Sequence, residues 1–163
     1  MRAVPTPPPR VVLVLDTSLM VAWVRKEAGR WERVEKLLRS SRLDCVVPAP
    51  ALAQTIYMAQ DRGVNASATT IHTTLVAQRL RIEPLTEDDA VWAGDRIRES
   101  HVKPAQWTNS HGEDRDGTLS LGDGLILAVA HRLHAQPATF DAAWGHFPTM
   151  DFNVFNVWQV PVL

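Results

Sequence analysis

The stretch that decides the fold of this chain is Val11-Val12-Leu13-Val14-Leu15-Asp16-Thr17-Ser18. Five consecutive aliphatic residues are typical of a strand buried on both faces, and such strands belong to parallel sheets covered by helices. Because ligands of open α/β sheets bind at the carboxyl ends of the strands, Asp16 lies where a functional group is expected. Capping of the following helix by Asp16, Thr17 or Ser18 is the simpler interpretation, and this stretch alone leaves both open.

The composition predicts one ordinary globular domain. The chain has 163 residues, of which 45% are hydrophobic, and this is enough to bury a substantial core. With a formal net charge of −1, any contact with a nucleic acid has to come from a local basic patch. The single cysteine, Cys45, lies in an apolar context, which excludes disulfide bonds within the chain and cysteine-based zinc sites.

The beginning of the chain differs from the rest in composition. We predict a proline-rich N-terminal extension over residues 1–10 and a single domain over residues 11–163. The first nine residues lack the apolar core of a signal peptide, and no later apolar run reaches membrane-spanning length. We therefore expect a cytoplasmic protein with no membrane segment.

Apolar periodicity and turn residues predict strands and helices that alternate along the chain. Helices are expected at 19–24, 31–39, 49–61, 66–80, 86–100 and 120–130, and strands at 45–48, 136–140 and 154–160. Residues 81–84 are interpreted as an extended link and residues 101–117 as a long polar loop. This order of elements predicts an α/β sandwich with a mostly parallel central sheet.

Two further aspartates stand at positions comparable to that of Asp16. Asp141 directly follows the strand predicted at 136–140, and Asp123 lies three residues after Ser120 at the start of the most apolar helix. Helix capping and compensation of the helix dipole are the simpler interpretations of both. Hard oxygen ligands of this kind suit Mg²⁺ or Mn²⁺. Carboxylates that converge at ~5 Å repel by about 3 kcal/mol per pair at an effective dielectric of about 20, which a bound cation offsets.

At these motifs the chain resembles PIN-domain proteins and, within that family, VapC-type toxin ribonucleases. The resemblance rests, in chain order, on Leu15-Asp16-Thr17-Ser18, Val47-Pro48-Ala49-Pro50-Ala51-Leu52-Ala53-Gln54, Leu119-Ser120-Leu121-Gly122-Asp123 and Ala138-Thr139-Phe140-Asp141. It implies a PIN-like three-layer α/β/α sandwich that cleaves RNA with Mg²⁺ or Mn²⁺, is neutralised by an antitoxin protein and forms a homodimer. By position it also implies that Asp16, Asp123 and Asp141 bind the metal ion.

Supporting roles follow from the same alignment of motifs. Ser18 matches the hydroxyl residue of the family near the first aspartate, and we expect Ser18 and Thr139 to orient the site by hydrogen bonds. Arg25, Lys26 and Arg30 follow Asp16 and are candidates for contacts with RNA phosphates, because basic side chains position RNA without reading its sequence. A solvated helix end is the simpler interpretation of these three.

Gln54 stands where the family pattern has a glutamate. Glutamine keeps a carbonyl oxygen that can touch a metal ion or its water, but it carries no negative charge and cannot act as a base. The acids of the polar loop, Glu113, Asp114 and Asp116, are candidates to replace the missing charge.

Two main functions therefore stay open. The first is the metal-dependent toxin ribonuclease with Gln54 as a fourth residue of the site, and the alternative is a catalytically weakened PIN-fold module that binds RNA or a partner protein without cleaving. Phosphotransfer of the haloacid-dehalogenase type fits poorly, because it expects an acid two residues after Asp16, where Ser18 stands.

Overall fold

The computed structural model describes residues 5–162, and its centre is a five-stranded sheet in which every neighbouring pair of strands is parallel. The strands of the chain are β1 (Val11–Leu15), β2 (Leu43–Pro48), β3 (Arg81–Glu83), β4 (Ala105–Thr108), β5 (Asp114–Gly117), β6 (Gln136–Thr139) and β7 (Phe155–Asn156). The central sheet has the order β3-β2-β1-β6-β7, and β4 pairs with β5 in a separate antiparallel hairpin.

Helices flank this sheet and complete a three-layer α/β/α sandwich, which confirms the predicted fold class. They are α1 (Thr17–Val24), α2 (Trp31–Arg39), α3 (Ala49–Asp61), α4 (Ala68–Val76), α5 (Glu87–Val102) and α6 (Leu121–Arg132), with short 3₁₀ turns at Ala142–Gly145 and Val157–Gln159. Helices α2 and α3 have the predicted bounds. Helix α6 is buried over most of its surface, as its apolar sequence indicates.

The first strand is the middle of the sheet, as its uninterrupted aliphatic run predicts. Leu13, Val14 and Leu15 are completely buried. In the register, Val14 lies opposite Val46 of β2 on one side, and Leu15 lies opposite Ala138 of β6 on the other. The carboxyl ends of β1 and β6 are therefore neighbours, and the residues that follow these two strands meet at one edge of the sheet.

Most predicted elements differ from the structure by one or two residues at an end, and three differ by more. The helix expected at 66–80 is only Ala68–Val76, because the Ser67 hydroxyl accepts the Thr70 backbone N–H and starts the helix later. The link expected at 81–84 is the strand β3, which pairs with β2. The strand expected at 154–160 is limited to the two residues of β7, after which Asn156 caps a 3₁₀ turn.

The prediction of a polar loop over residues 101–117 is wrong, because most of this segment is the β4–β5 hairpin. Its strands lack apolar alternation, since the pairs that face each other include Thr108 with Asp114. The connection is held by the Asn109 side-chain oxygen, which accepts the backbone N–H groups of His111 and Glu113. Polar cross-strand pairs and an Asx-type turn thus replace the pattern by which strands are usually found.

The ends of the chain are only partly described. Residues 1–4 of the predicted proline-rich extension and residue 163 lie outside the described residues, and residues 5–10 are exposed and form neither helix nor strand. The boundary between extension and domain stays a prediction. Among residues 5–162, no helix combines the length and the apolar character needed to cross a membrane.

Candidate active site

Asp16 lies at the carboxyl end of β1 and is 5% exposed. Its Oδ1 accepts the Thr17 backbone N–H at 2.7 Å, so it caps α1. Its Oδ2 accepts hydroxyl hydrogen bonds from Ser18 at 2.8 Å and from Thr139 at 2.6 Å. The two predicted supporting residues therefore orient Asp16, and one of them comes from the neighbouring strand β6.

The environment of Asp16 opposes its ionisation. Burial raises the pKa of this carboxyl above its ordinary value, because it removes the charge from water. The hydrogen bonds from Thr139, Ser18 and the backbone act in the opposite direction without cancelling the effect of burial. Such a group gains from a nearby cation more than an exposed carboxylate does.

Asp123 is half-buried at the start of α6 and belongs to a capping box. Its backbone N–H donates to the Ser120 hydroxyl at 3.1 Å, and its Oδ2 accepts the Ser120 backbone N–H at 3.0 Å. The pKa of Asp123 is raised to about 6, chiefly by burial and also by repulsion from Asp16 and Asp141, while the hydrogen bonds from Ser120 act in the opposite direction. The three aspartates predicted from sequence are therefore close enough to interact through their charges.

Asp141 is the exposed member of the three. Its Oδ1 accepts the Ala143 backbone N–H at 2.9 Å and caps the 3₁₀ turn that follows β6. Its own backbone N–H donates to the Thr139 hydroxyl at 2.9 Å, and the same hydroxyl donates to Asp16. Thr139 thus links the Asp16 carboxylate to the backbone of Asp141, and its place between the two residues was visible in the sequence only as part of the motif.

Gln54 faces the same edge of the sheet, as the sequence predicts. Its Oε1 accepts the Thr17 hydroxyl at 2.7 Å. Its amide also lies directly over Gly122, where an added Cβ would stand 2.2 Å from Nε2. Gln54 is therefore held between the residue after Asp16 and the residue before Asp123. The roles of Thr17 and Gly122 were missed in the sequence, because both depend on contacts between α1, α3 and α6.

The donor chemistry of this site fits a hard divalent cation. Within the described residues, Asp123 Oδ1 and Asp141 Oδ2 accept no hydrogen bond, and none of the three aspartates forms an ion pair with Lys, Arg or His. Among residues 5–162, no three His, Cys, Asp or Glu side chains are already close enough to share a metal ion.

The acids of the hairpin make their contacts within the hairpin. Asp114 Oδ1 accepts the Thr108 hydroxyl at 3.0 Å. Glu113 accepts the Asn109 side-chain amide at 2.8 Å and also pairs with Arg115. These contacts give no support to the idea that Glu113 or Asp114 replaces the charge that Gln54 lacks, and no described contact links Asp116 to the aspartates.

The three predicted phosphate contacts have different surroundings. Arg25 pairs with Glu27 at 2.7 Å, so its charge is largely compensated. The ammonium group of Lys26 lies over the rings of Trp23 and Trp31. Arg30 lies over the ring of Phe140, the residue before Asp141, with 5.2 Å between its guanidinium carbon and the ring centre. Of the three, Arg30 is therefore placed next to the carboxylates.

Comparison with known protein families shows the family to which this fold and this arrangement of carboxylates belong. The family model of the PIN domain matches residues 13–150, well over half of the chain. The chain belongs to the PIN-domain family, which confirms the prediction from sequence. No curated protein sequence matches the chain.

Several solved structures resemble this chain. They include VapC20 of Mycobacterium tuberculosis, a toxin that cleaves the sarcin–ricin loop, with a TM-score of 0.60, 18% identity and coverage of 86% of this chain and 99% of that one. VapBC2 of Rickettsia felis bound to promoter DNA has a TM-score of 0.60, 16% identity and coverage of 88% and 96%. FitAcB of Neisseria gonorrhoeae has a TM-score of 0.57, 22% identity and coverage of 91% and 99%. At these identities the likeness shows a shared fold.

Proposed function

We propose that this protein is a metal-dependent endoribonuclease of the toxin type. The observation that carries the proposal is the proximity of Asp16, Asp123 and Asp141 at the carboxyl edge of the sheet. Burial in the first place, and repulsion from the other two carboxylates in the second, raise the pKa of Asp123 to about 6. A fold that keeps three acids together without a basic partner among the described residues is suited to a divalent cation. Membership of the PIN family and the likeness to a ribosomal-RNA-cleaving toxin support RNA as the substrate.

In this proposal the oxygen atoms of Asp16, Asp123 and Asp141 hold Mg²⁺ or Mn²⁺. A bound ion of this type activates water and neutralises the charge of a phosphodiester. Ser18 and Thr139 keep Asp16 in place through the hydrogen bonds to its Oδ2. Lys26 and Arg30 are proposed to contact RNA phosphates, whereas Arg25, paired with Glu27, is the weakest of the three predicted candidates.

We assign Gln54 a positioning role in the proposed ribonuclease. Its carbonyl oxygen already accepts the Thr17 hydroxyl, so it orients the start of α1 beside Asp16. Because it adds no negative charge, the site attracts a cation less strongly than four acids would. A lower metal affinity and a lower rate are the expected consequences.

The resemblance also carries proposals about partners and location. The similar structures include a toxin–antitoxin complex of Klebsiella pneumoniae, and the FitAB and VapBC2 structures contain bound DNA, so an antitoxin protein is the proposed partner. A homodimer remains a proposal that rests on the family resemblance, and a cytoplasmic location remains a proposal that rests on the sequence.

The proposed activity is tested by incubating the purified protein with labelled RNA and Mn²⁺. We expect cleavage that EDTA stops and that Asp16→Asn reduces at least about 100-fold, because this substitution removes a charge at the proposed metal site. Asp88→Asn is the matched control, since Asp88 is an exposed aspartate at the start of α5. Absence of metal-dependent cleavage, or equal cleavage by Asp16→Asn and the wild type, would overturn the proposal.

Gln54 also favours a second candidate, a PIN-fold module that binds RNA or a protein without cleaving it. The variant Gln54→Glu separates the two, because it restores the acid of the family pattern with little change in size. If the protein is a weak nuclease, we expect this variant to cleave faster and at lower Mn²⁺ concentrations. If neither protein cleaves RNA while both bind it, the binding module is the better description.

A further inference from the structure

A cluster of aromatic rings and basic side chains lies beside the three aspartates, and we call it the aromatic-cationic surface. It consists of Arg30, Arg33, Phe140 and Trp158. The guanidinium carbons of Arg30 and Arg33 both lie 5.4 Å from the ring centre of Trp158. The rings of Phe140 and Trp158 are tilted against each other with their centres 4.8 Å apart.

Backbone contacts place this surface next to the candidate active site. Phe140 precedes Asp141, and its backbone N–H donates to the Ser18 hydroxyl at 3.2 Å. Trp158 follows the edge strand β7, in which Asn156 lies opposite Thr139 of β6. The surface therefore occupies the same carboxyl edge of the sheet as the aspartates, on the side of β7.

The indole of Trp158 and the side chain of Arg30 are the accessible groups of this surface, whereas Arg33 is half-buried and Phe140 is 9% exposed. Trp158 is 48% exposed. The Arg30 side chain is 44% exposed and has only a long contact, 3.7 Å, with Glu27. Among residues 5–162, Arg33 forms no ion pair with a carboxylate, and its guanidinium donates a hydrogen bond to the Gly29 carbonyl. An exposed indole with two guanidinium groups on it is a local basic patch in a chain whose net charge is −1.

Such a combination matches the chemistry of single-stranded RNA. Unpaired bases stack on aromatic rings and on arginine guanidinium planes, whereas bases inside a duplex are covered by their neighbours. Arginine also pairs with phosphates. A nucleotide carries a flat base next to a negative phosphate. It therefore requires a flat apolar ring in contact with positive charges.

We propose that the aromatic-cationic surface binds single-stranded RNA beside the carboxylates, with one unpaired base on Trp158 and phosphates on Arg30 and Arg33. The inference rests on the proposed ribonuclease function and names the form of its substrate. It also adds Trp158 and Arg33, neither of which the sequence motifs single out. Because the surface lies to one side of the aspartates, the stacked base belongs to a nucleotide flanking the cleaved bond.

The proposal is tested by RNA binding in EDTA, a condition in which metal-dependent cleavage cannot occur. The probes are a labelled oligouridylate, the same strand with one abasic ribose moved along it, and an RNA duplex of equal length. The variants are Trp158→Leu, Arg33→Gln and Trp158→Phe. Arg96→Gln is the matched control, because Arg96 lies over the ring of Trp92, 5.8 Å from its centre, in another part of the fold.

We expect Trp158→Leu to weaken binding of the oligouridylate about tenfold, while Trp158→Phe retains most of it. An abasic site at one position should weaken binding by the wild type and have no further effect on Trp158→Leu. Arg33→Gln should lower the slope of log affinity against log salt concentration by about 0.7, whereas Trp158→Leu leaves the slope unchanged. The duplex should bind more weakly than the single strand to the wild type.

The possible outcomes distinguish this inference from the proposed function. Wild-type affinity of Trp158→Leu for the single strand, or an equal loss in Arg96→Gln, overturns the inference even if the protein cleaves RNA. Loss of binding in Trp158→Leu supports it even if no cleavage is found. If Trp158→Leu keeps RNA binding but loses a purified antitoxin, the surface is a protein interface. Should Trp158→Leu fail to fold, Arg33→Gln and Trp158→Phe decide the question alone.

Discussion

Helices α5 and α6 begin with the same capping motif, but the pKa of its acid is shifted in opposite directions in the two helices. In α5, Thr86 and Asp89 form a capping box, and in α6, Ser120 and Asp123 do the same. Burial alone would raise the pKa of Asp89, but hydrogen bonds from Arg132 and Thr86 outweigh it and lower the pKa. The pKa of Asp123 is raised to about 6, because burial is reinforced by the neighbouring carboxylates Asp16 and Asp141.

The side chains that face the acid decide whether its pKa is lowered or raised. Arg132 holds Asp89 with hydrogen bonds of 3.0 Å and 3.1 Å from Nε, and it also contacts Glu83 and the Pro84 carbonyl. Asp123 faces acids instead. A capping motif in a sequence therefore fixes where a helix starts, while a contact from a distant segment determines whether its acid is structural or available to a ligand.

The largest change in stability is expected from removing the charge of Asp89, the acid that Arg132 compensates. Asp89 is 2% exposed, so Asp89→Asn leaves Arg132 without its main partner. We expect the free energy of unfolding at pH 7 to fall by about 3 kcal/mol. Chemical denaturation measures it, with the exposed Asp88→Asn as control. A loss no larger than that of Asp88→Asn would show that the Asp89–Arg132 pair contributes nothing.

The corresponding change in the uncompensated acid should have the opposite sign. Asn at position 123 can still accept the Ser120 backbone N–H, but it removes the repulsion with Asp16 and Asp141. Without divalent metal, we expect Asp123→Asn to raise the free energy of unfolding at pH 7 by about 2 kcal/mol. A variant less stable than the wild type would contradict the charge repulsion inferred at this site.

The same carboxyl gives the wild type a defined pH dependence. The folded pKa of Asp123, about 6, lies above its ordinary value of 3.8, so the folded state binds the proton more tightly. Its contribution to stability is therefore unfavourable above pH 6 and is relieved as the pH falls from 6 towards 3.8. In EDTA, the stability difference between Asp123→Asn and the wild type should shrink over this range. A stability difference that stays constant over this pH range would show that the effect does not come from the Asp123 carboxyl.

Divalent metal should also remove the stability difference between Asp123→Asn and the wild type, in this case because it stabilises the wild type. If the three aspartates bind Mn²⁺, a concentration a hundredfold above the dissociation constant stabilises the folded wild type by about 2.7 kcal/mol. Asp123→Asn should gain less, and Asp89→Asn should gain as much as the wild type. Thermal unfolding with and without Mn²⁺ tests this, and equal gains in all three proteins would count against a metal site at Asp123.

The smallest changes in stability are expected at the capping hydroxyls, which the two motifs have in common. Thr86→Ala and Ser120→Ala each remove a hydroxyl that accepts a backbone N–H at 3.1 Å. Each should therefore lower the free energy of unfolding by about 1 kcal/mol. A much larger cost at Ser120 would show that this hydroxyl also serves the carboxylates, and denaturation of the two variants side by side would reveal it.

Local sequence was sufficient for the parts of the fold that depend on local chemistry. The aliphatic run before Asp16 marked the central strand, and Ser120 marked the start of α6. Chain order then brought Asp16, Asp123 and Asp141 to one edge, because parallel strands end on the same side. Their convergence is observed, whereas their role as metal ligands remains a prediction.

Contacts between distant segments were beyond the reach of local patterns. The pairing of Arg132 with Asp89 joins the end of one helix to the start of another, and the fit of Gln54 over Gly122 joins α3 to α6. The hairpin was hidden because its strands pair polar residues. Trp158 was read as part of a strand, although it lies in a 3₁₀ turn that follows a strand of two residues.

The backbone hydrogen bond from the Asp16 N–H to the Ala138 carbonyl, 2.9 Å long, ties the central strand to β6 at the edge that carries the carboxylates. Deuterium can replace that amide hydrogen only when the centre of the sheet separates, so its exchange reports global unfolding. Trp158 follows the short outer strand β7, whose local opening leaves the centre intact. Under mild denaturant, the proposed RNA surface should therefore be lost while the carboxylates stay assembled.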